Sequence, residues 1–299
     1  MTTIYTSVDF NQLNINSYQW PIIISGAKPN VPIVIKFKSD ITFTSADNYF
    51  IVDTDYVIFD GSNHKINLIN IYNYPGLISN GYWNGSEYVQ GHSNVIVSNM
   101  NIFSSGSVLG NDPHGMASGW LCQASYANQA TNNIVRNSNV YADLDNDGTG
   151  GFFGTYLATF GGNIIIEKCS YTGNINADYC GGIVGPSSLY NGGTIYMTKS
   201  IVNTSINGSD SAGFVGPYTC NSEWISPGLV STNIEDYDTD VERSNQRNLF
   251  KKSQKKLSNI LKKNISKKNV LKTRDLDPIQ PIVSIFPSNL NISFQIFLE

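Results

Sequence analysis

A block of glycine, two apolar residues and glycine returns at a fixed distance of thirty-one positions, and this spacing limits the fold more than any other feature of the chain. Gly151-Phe152-Phe153-Gly154 recurs as Gly182-Ile183-Val184-Gly185 and again as Gly213-Phe214-Val215-Gly216. A second block keeps the same distance: Ile134-Val135, Ile165-Ile166, Tyr196-Met197. Small residues hold the register as well, with Ser138, Cys169 and Ser200 in one column. A looser copy lies upstream, where Ser118-Gly119-Trp120-Leu121-Cys122 precedes Gly150 to Gly154 by thirty-two. Two blocks repeating at one spacing mark a repeat architecture.

Each unit holds two short β-branched or aromatic runs separated by Gly, Asn and Asp. Runs of five or six residues suit strands, whereas a helix needs ten or more. One such unit cannot bury its own apolar face. Stacking copies about 4.8 Å apart pairs every strand with the next copy and makes a continuous core. The expected fold is therefore all-β, a right-handed parallel β-helix. The Gly pair is expected at a corner where the backbone needs positive φ.

Stacking makes the columns explicit. Arg136, Glu167 and Thr198 share one, which sets opposite charges on neighbouring rungs. Asn137, Lys168 and Lys199 share the next, so this side is read as a solvated face. The composition agrees: 40% hydrophobic and only 14% charged residues allow a large core and argue against global disorder. Abundant Asn and Gly favour tight turns.

Upstream, Tyr56-Val57-Ile58-Phe59-Asp60-Gly61-Ser62-Asn63-His64-Lys65-Ile66 resembles an opening rung of pectin-lyase-type β-helices, with an Asp-Gly turn between two strands. Val95 to Ile102 reads as another rung. The Gly-x-x-Gly units at 151–154, 182–185 and 213–216 resemble the GLUG-like repeats of surface and adhesin-like proteins. The Asn/Ile-rich rungs are also similar to uncharacterised β-helix proteins of giant amoeba-infecting DNA viruses. The resemblance covers roughly residues 50–225. It implies the fold, and a virus-encoded protein of the particle or host cytoplasm, while implying little about activity.

The chain divides into three regions: capping strands over 1–50, repeats over 51–228 and a basic tail over 229–299. Met1 to Asp240 carries seven Lys/Arg against nineteen Asp/Glu, whereas Val241 to Glu299 carries twelve against four. Phe250, Leu257, Leu261 and Ile265 fall on one side of a helix expected from about Asn245 to Lys272, ringed by lysine doublets. Readings of this tail are a solvated, partly helical or disordered segment, a capping or oligomerising helix, or a contact for nucleic acid or an anionic surface. The N-terminus has no basic and apolar leader pattern, so no conventional signal peptide is expected. No apolar run is long enough for a transmembrane segment. Four scattered cysteines read as free thiols.

The sharpest local motif is Asp143-Leu144-Asp145-Asn146-Asp147-Gly148. Asp at alternate positions followed by Gly is how calcium loops gather hard oxygens, which makes Asp143, Asp145 and Asp147 candidate calcium ligands. The twelfth position is Gly154, where an EF-hand loop has Glu. The repeat supplies a second reading, because the three align with Asn174, Asn176 and Asp178 as a recurring polar turn. Asp112-Pro113-His114 near Cys122 is a weaker metal motif. Trp83, Trp120 and Trp224 are either a sugar-stacking platform or core.

Two functions are open. A non-catalytic rod would present a flat Asn/Ser/Tyr-rich face to a glycan or another protein. A polysaccharide-active enzyme would need clustered Asp with an Arg or Lys base across adjacent rungs. Arg136 is the sole arginine of the repeats, and Asp60, Asp112 and Asp143 stand far apart in register, so no catalytic residue is assigned.

Overall fold

A computed structural model of the chain describes residues 1–219 and the short strand Val230–Thr232. These residues are almost wholly β, with one short helix, Gln12–Ile15. From Ile33 onward the chain visits three parallel sheets in rotation and adds one rung to each at every pass.

In the first sheet, Val8–Phe10, Ile33–Phe37, Val57–Asp60, Ile96–Ser98, Asn133–Arg136, Asn163–Glu167 and Thr194–Thr198 lie side by side in chain order. The second is Ile41–Phe43, Lys65–Ile69, Asn101–Ser105, Asn139–Tyr141, Ser170–Thr172, Ile201–Asn203 and Val230–Thr232. The third begins with Thr2–Ile4, Ile22–Ile24, Phe50–Val52 and Ile78–Ser79. Single bridges then carry it from Ile78 through Cys122, Phe153 and Val184 to Val215.

Strand alternation turns every second side chain inward. Ile35, Phe59, Val97, Val135 and Ile166 form one inward column, each pairing with the next. Ile41, Ile66, Ile102, Val140, Tyr171 and Val202 form another. Every one of these residues is buried. Burying apolar surface at about 25 cal/mol per Å² is what holds rungs together that could not fold singly.

The thirty-one-residue columns appear as register pairs: Ile134 with Ile165, Ile165 with Tyr196, and Arg136 with Glu167. The upstream copy needs correction. Gly119 bridges Gly150 and Cys122 bridges Phe153, so its distance is also thirty-one, not thirty-two. The glycine pair needs correction too. Neither Gly150 nor Gly151 has positive φ; a Cβ on Gly151 would stand 1.8 Å from the Gly182 carbonyl oxygen. Close rung-to-rung approach, not turn conformation, is what demands glycine there. The corner between the first two sheets is instead made by Asn99, Asn137, Lys168 and Lys199, all with φ near +50°.

The Asp60-Gly61 rung does not open the stack, since Ile33–Phe37 pairs with Val57–Asp60 and Val8–Phe10 pairs with Ile33–Phe37. Phe50 pairs with both Ile22 and Ile78, so no break in the sheets separates residues 1–50 from the later rungs. At that end Trp20 meets Phe43 and Phe50 at 5.2 Å, and Tyr18 meets Phe10 at 5.1 Å. These rings and the buried Ile15 cover an apolar edge that would otherwise face water. The expected tail helix, with Phe250, Leu257, Leu261 and Ile265, lies outside the described residues.

Candidate binding site on an aromatic flank

The polar turn of the repeats runs beside the second sheet. Asp143, Asp145 and Asp147 are exposed, while Leu144 between them points into the core. Each carboxylate accepts from the next rung: Asp143 Oδ1 from the Asn174 N–H at 2.6 Å, Asp145 Oδ1 from Asn176 Nδ2 at 2.7 Å, and Asp147 Oδ1 from the Asp178 N–H at 3.0 Å. The pattern repeats one rung on, where Asn176 Oδ1 accepts from Asn207 Nδ2 at 2.8 Å and Asp178 Oδ1 from the Ser209 N–H at 2.6 Å. Rung-to-rung hydrogen bonding thus satisfies turn N–H groups that lie outside the parallel sheets. Among the described residues, no three His, Cys, Asp or Glu side chains converge in a metal-binding arrangement.

The other sequence candidates are dispersed. Cys122 is a core residue of the third sheet, and burial pushes its thiol well above the ordinary range. Cys169 lies in the Ser138–Ser200 column, its thiol pushed up to about 12 by burial. Cys180 stands between Thr149 and Ser211, with its Sγ 3.4 Å from the Thr149 hydroxyl. Both cysteines replace hydroxyl side chains in ladders whose backbone N–H groups need an acceptor. Arg136 and Glu167 are register partners on neighbouring rungs, and Glu167 forms an ion pair with the adjacent Lys168 at 3.4 Å.

Trp120 is buried, its Nε1–H donating to the Asp143 carbonyl at 3.2 Å, and is therefore core rather than platform. Trp224 lies outside the described residues. Trp83 is different. It sits on a two-stranded antiparallel arm, Tyr82–Trp83 paired with Tyr88–Val89, whose strand residues are half-buried. Repeat spacing does not reveal this arm, because it is inserted between rungs. Its local signal is Asn84-Gly85 between Tyr82-Trp83 and Tyr88-Val89, a hairpin pattern. Asn84 Oδ1 closes the tip by accepting from the N–H groups of Ser86 and Glu87, both at 2.9 Å.

Buried amides pin the arm at its base. Asn80 donates to the His92 carbonyl at 3.0 Å and accepts the His92 N–H at 2.6 Å. Asn128 donates to the Val89 carbonyl at 3.1 Å, and its Oδ1 accepts from Thr159 Oγ1 at 2.8 Å. Both amides are fully buried, so these bonds strongly favour one arm position.

So anchored, the arm lays its rings over the neighbouring rungs. Trp83 and Tyr88 meet at 4.7 Å; Tyr88 meets Tyr156 at 5.6 Å and Phe160 at 5.2 Å. Phe160 in turn meets Tyr190 edge-on at 5.9 Å, and Tyr82 stacks on His114 at 4.2 Å. Partial burial, then the neighbouring Tyr156 phenol and Tyr190, push the Tyr88 phenol up, so it stays protonated and able to donate. Tyr156 and Phe160 hold φ of 61° and 51°. Aromatic residues avoid this region, and the surrounding rungs must enforce it.

Scans of protein-family models, curated proteins and solved structures find no match to this chain.

Proposed function

We propose that the chain is a right-handed parallel β-helix acting as a non-catalytic rod that binds a glycan or another protein through its aromatic flank. In-register parallel strands in three sheets visited in rotation support the helix, and the strong preference of parallel crossovers supports the right hand. The observation that carries the binding reading is the anchored arm. Two fully buried amides, Asn80 and Asn128, fix a surface hairpin whose Tyr88 ring meets Tyr156 and Phe160 on one rung, and Phe160 in turn meets Tyr190 on the next. A rigid cluster of half-exposed rings suits recognition, because little side-chain entropy remains to be lost on binding. The carboxylates of the repeat are engaged as acceptors between rungs, which favours binding over acid–base hydrolysis.

Incubation with a panel of soluble polysaccharides, followed by assay of new reducing ends and of unsaturated products, tests the non-catalytic reading. Retained binding without product is expected. Turnover abolished by substituting acidic residues would instead establish the polysaccharide-active enzyme.

A further inference from the structure

We infer that the aromatic flank takes an uncharged oligosaccharide, with sugar rings lying against Phe160, Tyr190 and the arm; this rests on the binding reading above and names its ligand. The argument starts from charge. Residues 118–135, 148–166 and 179–198, which build this flank over three successive rungs, contain no Asp, Glu, Lys or Arg. Elsewhere the same rungs carry charge, at Arg136, Glu167, Lys168 and Lys199 on the first-sheet corner and at Asp143, Asp145 and Asp147 on the polar turn. The rungs of the flank therefore carry no charge, and the arm above them adds one exposed carboxylate, Glu87, and no lysine or arginine. An anionic glycan or nucleic acid would find no lysine or arginine there and would meet the Glu87 carboxylate, and desolvating its charge without a partner is unfavourable. Charge complementarity points to a neutral ligand.

The remaining chemistry points to sugar. Phe160 is 36% exposed and Tyr190 55% exposed, so ring faces are available to the apolar C–H face of a pyranose. Amides bracket them. Gln129, Phe160 and Asn191 occupy equivalent places on three successive rungs, each with φ near +55°, and all three are exposed. Successive rungs stand about 4.8 Å apart. A column reading amide, ring, amide thus spans about 10 Å, the reach of two linked pyranose rings, and sets hydroxyl-binding groups on either side of a stacking face. The left-handed backbone turns these three side chains outward together.

Native gel retardation of the full chain tests this, with hydroxyethylcellulose, galactomannan, arabinoxylan and mixed-linkage glucan as neutral probes and polygalacturonate and heparin as anionic ones. Retardation by at least one neutral probe and by neither anionic one is expected. Tyr190→Ala and Asn191→Ala, both exposed, should each weaken retention about tenfold, and Phe160→Gly, which keeps the left-handed backbone, by at least as much. Circular dichroism melting of each variant confirms that the fold is retained, and Tyr72→Ala, at an exposed ring outside the flank, serves as the neutral control. No retardation by any neutral probe overturns the inference, as does retardation that survives all three flank variants. Capture of a protein through the same residues would overturn the sugar assignment while leaving the binding-rod reading standing. Sugar turnover would overturn the rod reading instead.

Discussion

At Gly151 an added methyl group would meet the Gly182 carbonyl oxygen at 1.8 Å and the Tyr171 ring at 2.4 Å, and neither is free to retreat in a packed stack. Gly151→Ala should therefore lower unfolding free energy by about 3 kcal/mol, as overpacking does. Gly161→Ala offers the contrast, because its Cβ meets nothing within 4 Å and only the φ of +82° opposes it; about 1 kcal/mol is expected from strain alone. Denaturant melts of the two variants compare contact with conformation directly. Asp112 poses a different question. It is buried, and its Oδ1 accepts the N–H groups of His114 and Met116, both at 2.9 Å, while Oδ2 has no partner among the described residues. Burial raises its carboxyl above the ordinary 3.8 despite those bonds. A folded-state value above the unfolded one means that folding favours the protonated acid. Its contribution is fully present below the unfolded value and is lost as pH rises through the folded one. The stability of the wild type relative to Asp112→Asn should thus fall as pH rises from the ordinary carboxyl value of 3.8 through the raised folded one. A difference that grows with pH would show that the turn carrying His114 prefers the carboxylate. At Asp145 the two sequence readings separate cleanly. Asp145→Asn keeps an oxygen to accept from Asn176, so melting without calcium should be unchanged. A melting midpoint raised by calcium in the wild type and not in Asp145→Asn would establish the ion site.

Among the elements, the glycine-flanked pair is the most informative. Ile183 is fully buried, its N–H donating to the Phe214 carbonyl and its own carbonyl accepting from Phe152, so it sits between two apolar rungs. Ile183→Asp puts a charge there and should destabilise by on the order of 4 kcal/mol. Ser187 is half-buried with φ of 57°, a conformation that Asp tolerates, so Ser187→Asp should change stability by less than about 1 kcal/mol. Equal effects on chemical denaturation would mean that the repeat does not place these residues as described. The same element explains what was legible in the sequence. From Gly119 to Val215 a constant thirty-one residues separates equivalent positions, so identity and register could be read together; the last described strand follows at twenty-nine, from Ile201 to Val230. Earlier the distance varies: thirty-eight from Ile58 to Ile96, twenty-four from Val34 to Ile58 and forty-four from Ile78 to Cys122. Insertions such as the arm absorb the difference, and a fixed offset cannot track them. The aromatic flank was hidden for another reason. Tyr156 and Phe160 face outward through left-handed backbone, which breaks the strand alternation on which inward and outward assignments depend.

For the whole molecule, the consequence of stacking is that each rung touches only its neighbours. One end is closed by Trp20, Tyr18 and Ile15 over Phe10 and Phe43, and the inward columns run from there without interruption through every described pass. A globular core would spread the effect of a cavity in all directions, whereas here it should propagate along the column and fade. Val135 and Ile166 pair directly, while Ile35 reaches Val135 only through Phe59 and Val97. Val135→Ala, Ile166→Ala and Ile35→Ala each remove buried methyl groups and should destabilise by about 2–4 kcal/mol apiece. Combining Val135→Ala with Ile166→Ala merges two cavities across one interface, and the double variant should depart from the sum by more than about 0.5 kcal/mol. Combining Ile35→Ala with Ile166→Ala should be additive to within about 0.5 kcal/mol, because three rungs of intact packing separate the sites. Equilibrium unfolding of all five variants gives both coupling energies. Equal coupling for the near and the far pair would mean that the rungs are not linked one to the next, and that the stack behaves as a single three-dimensional core.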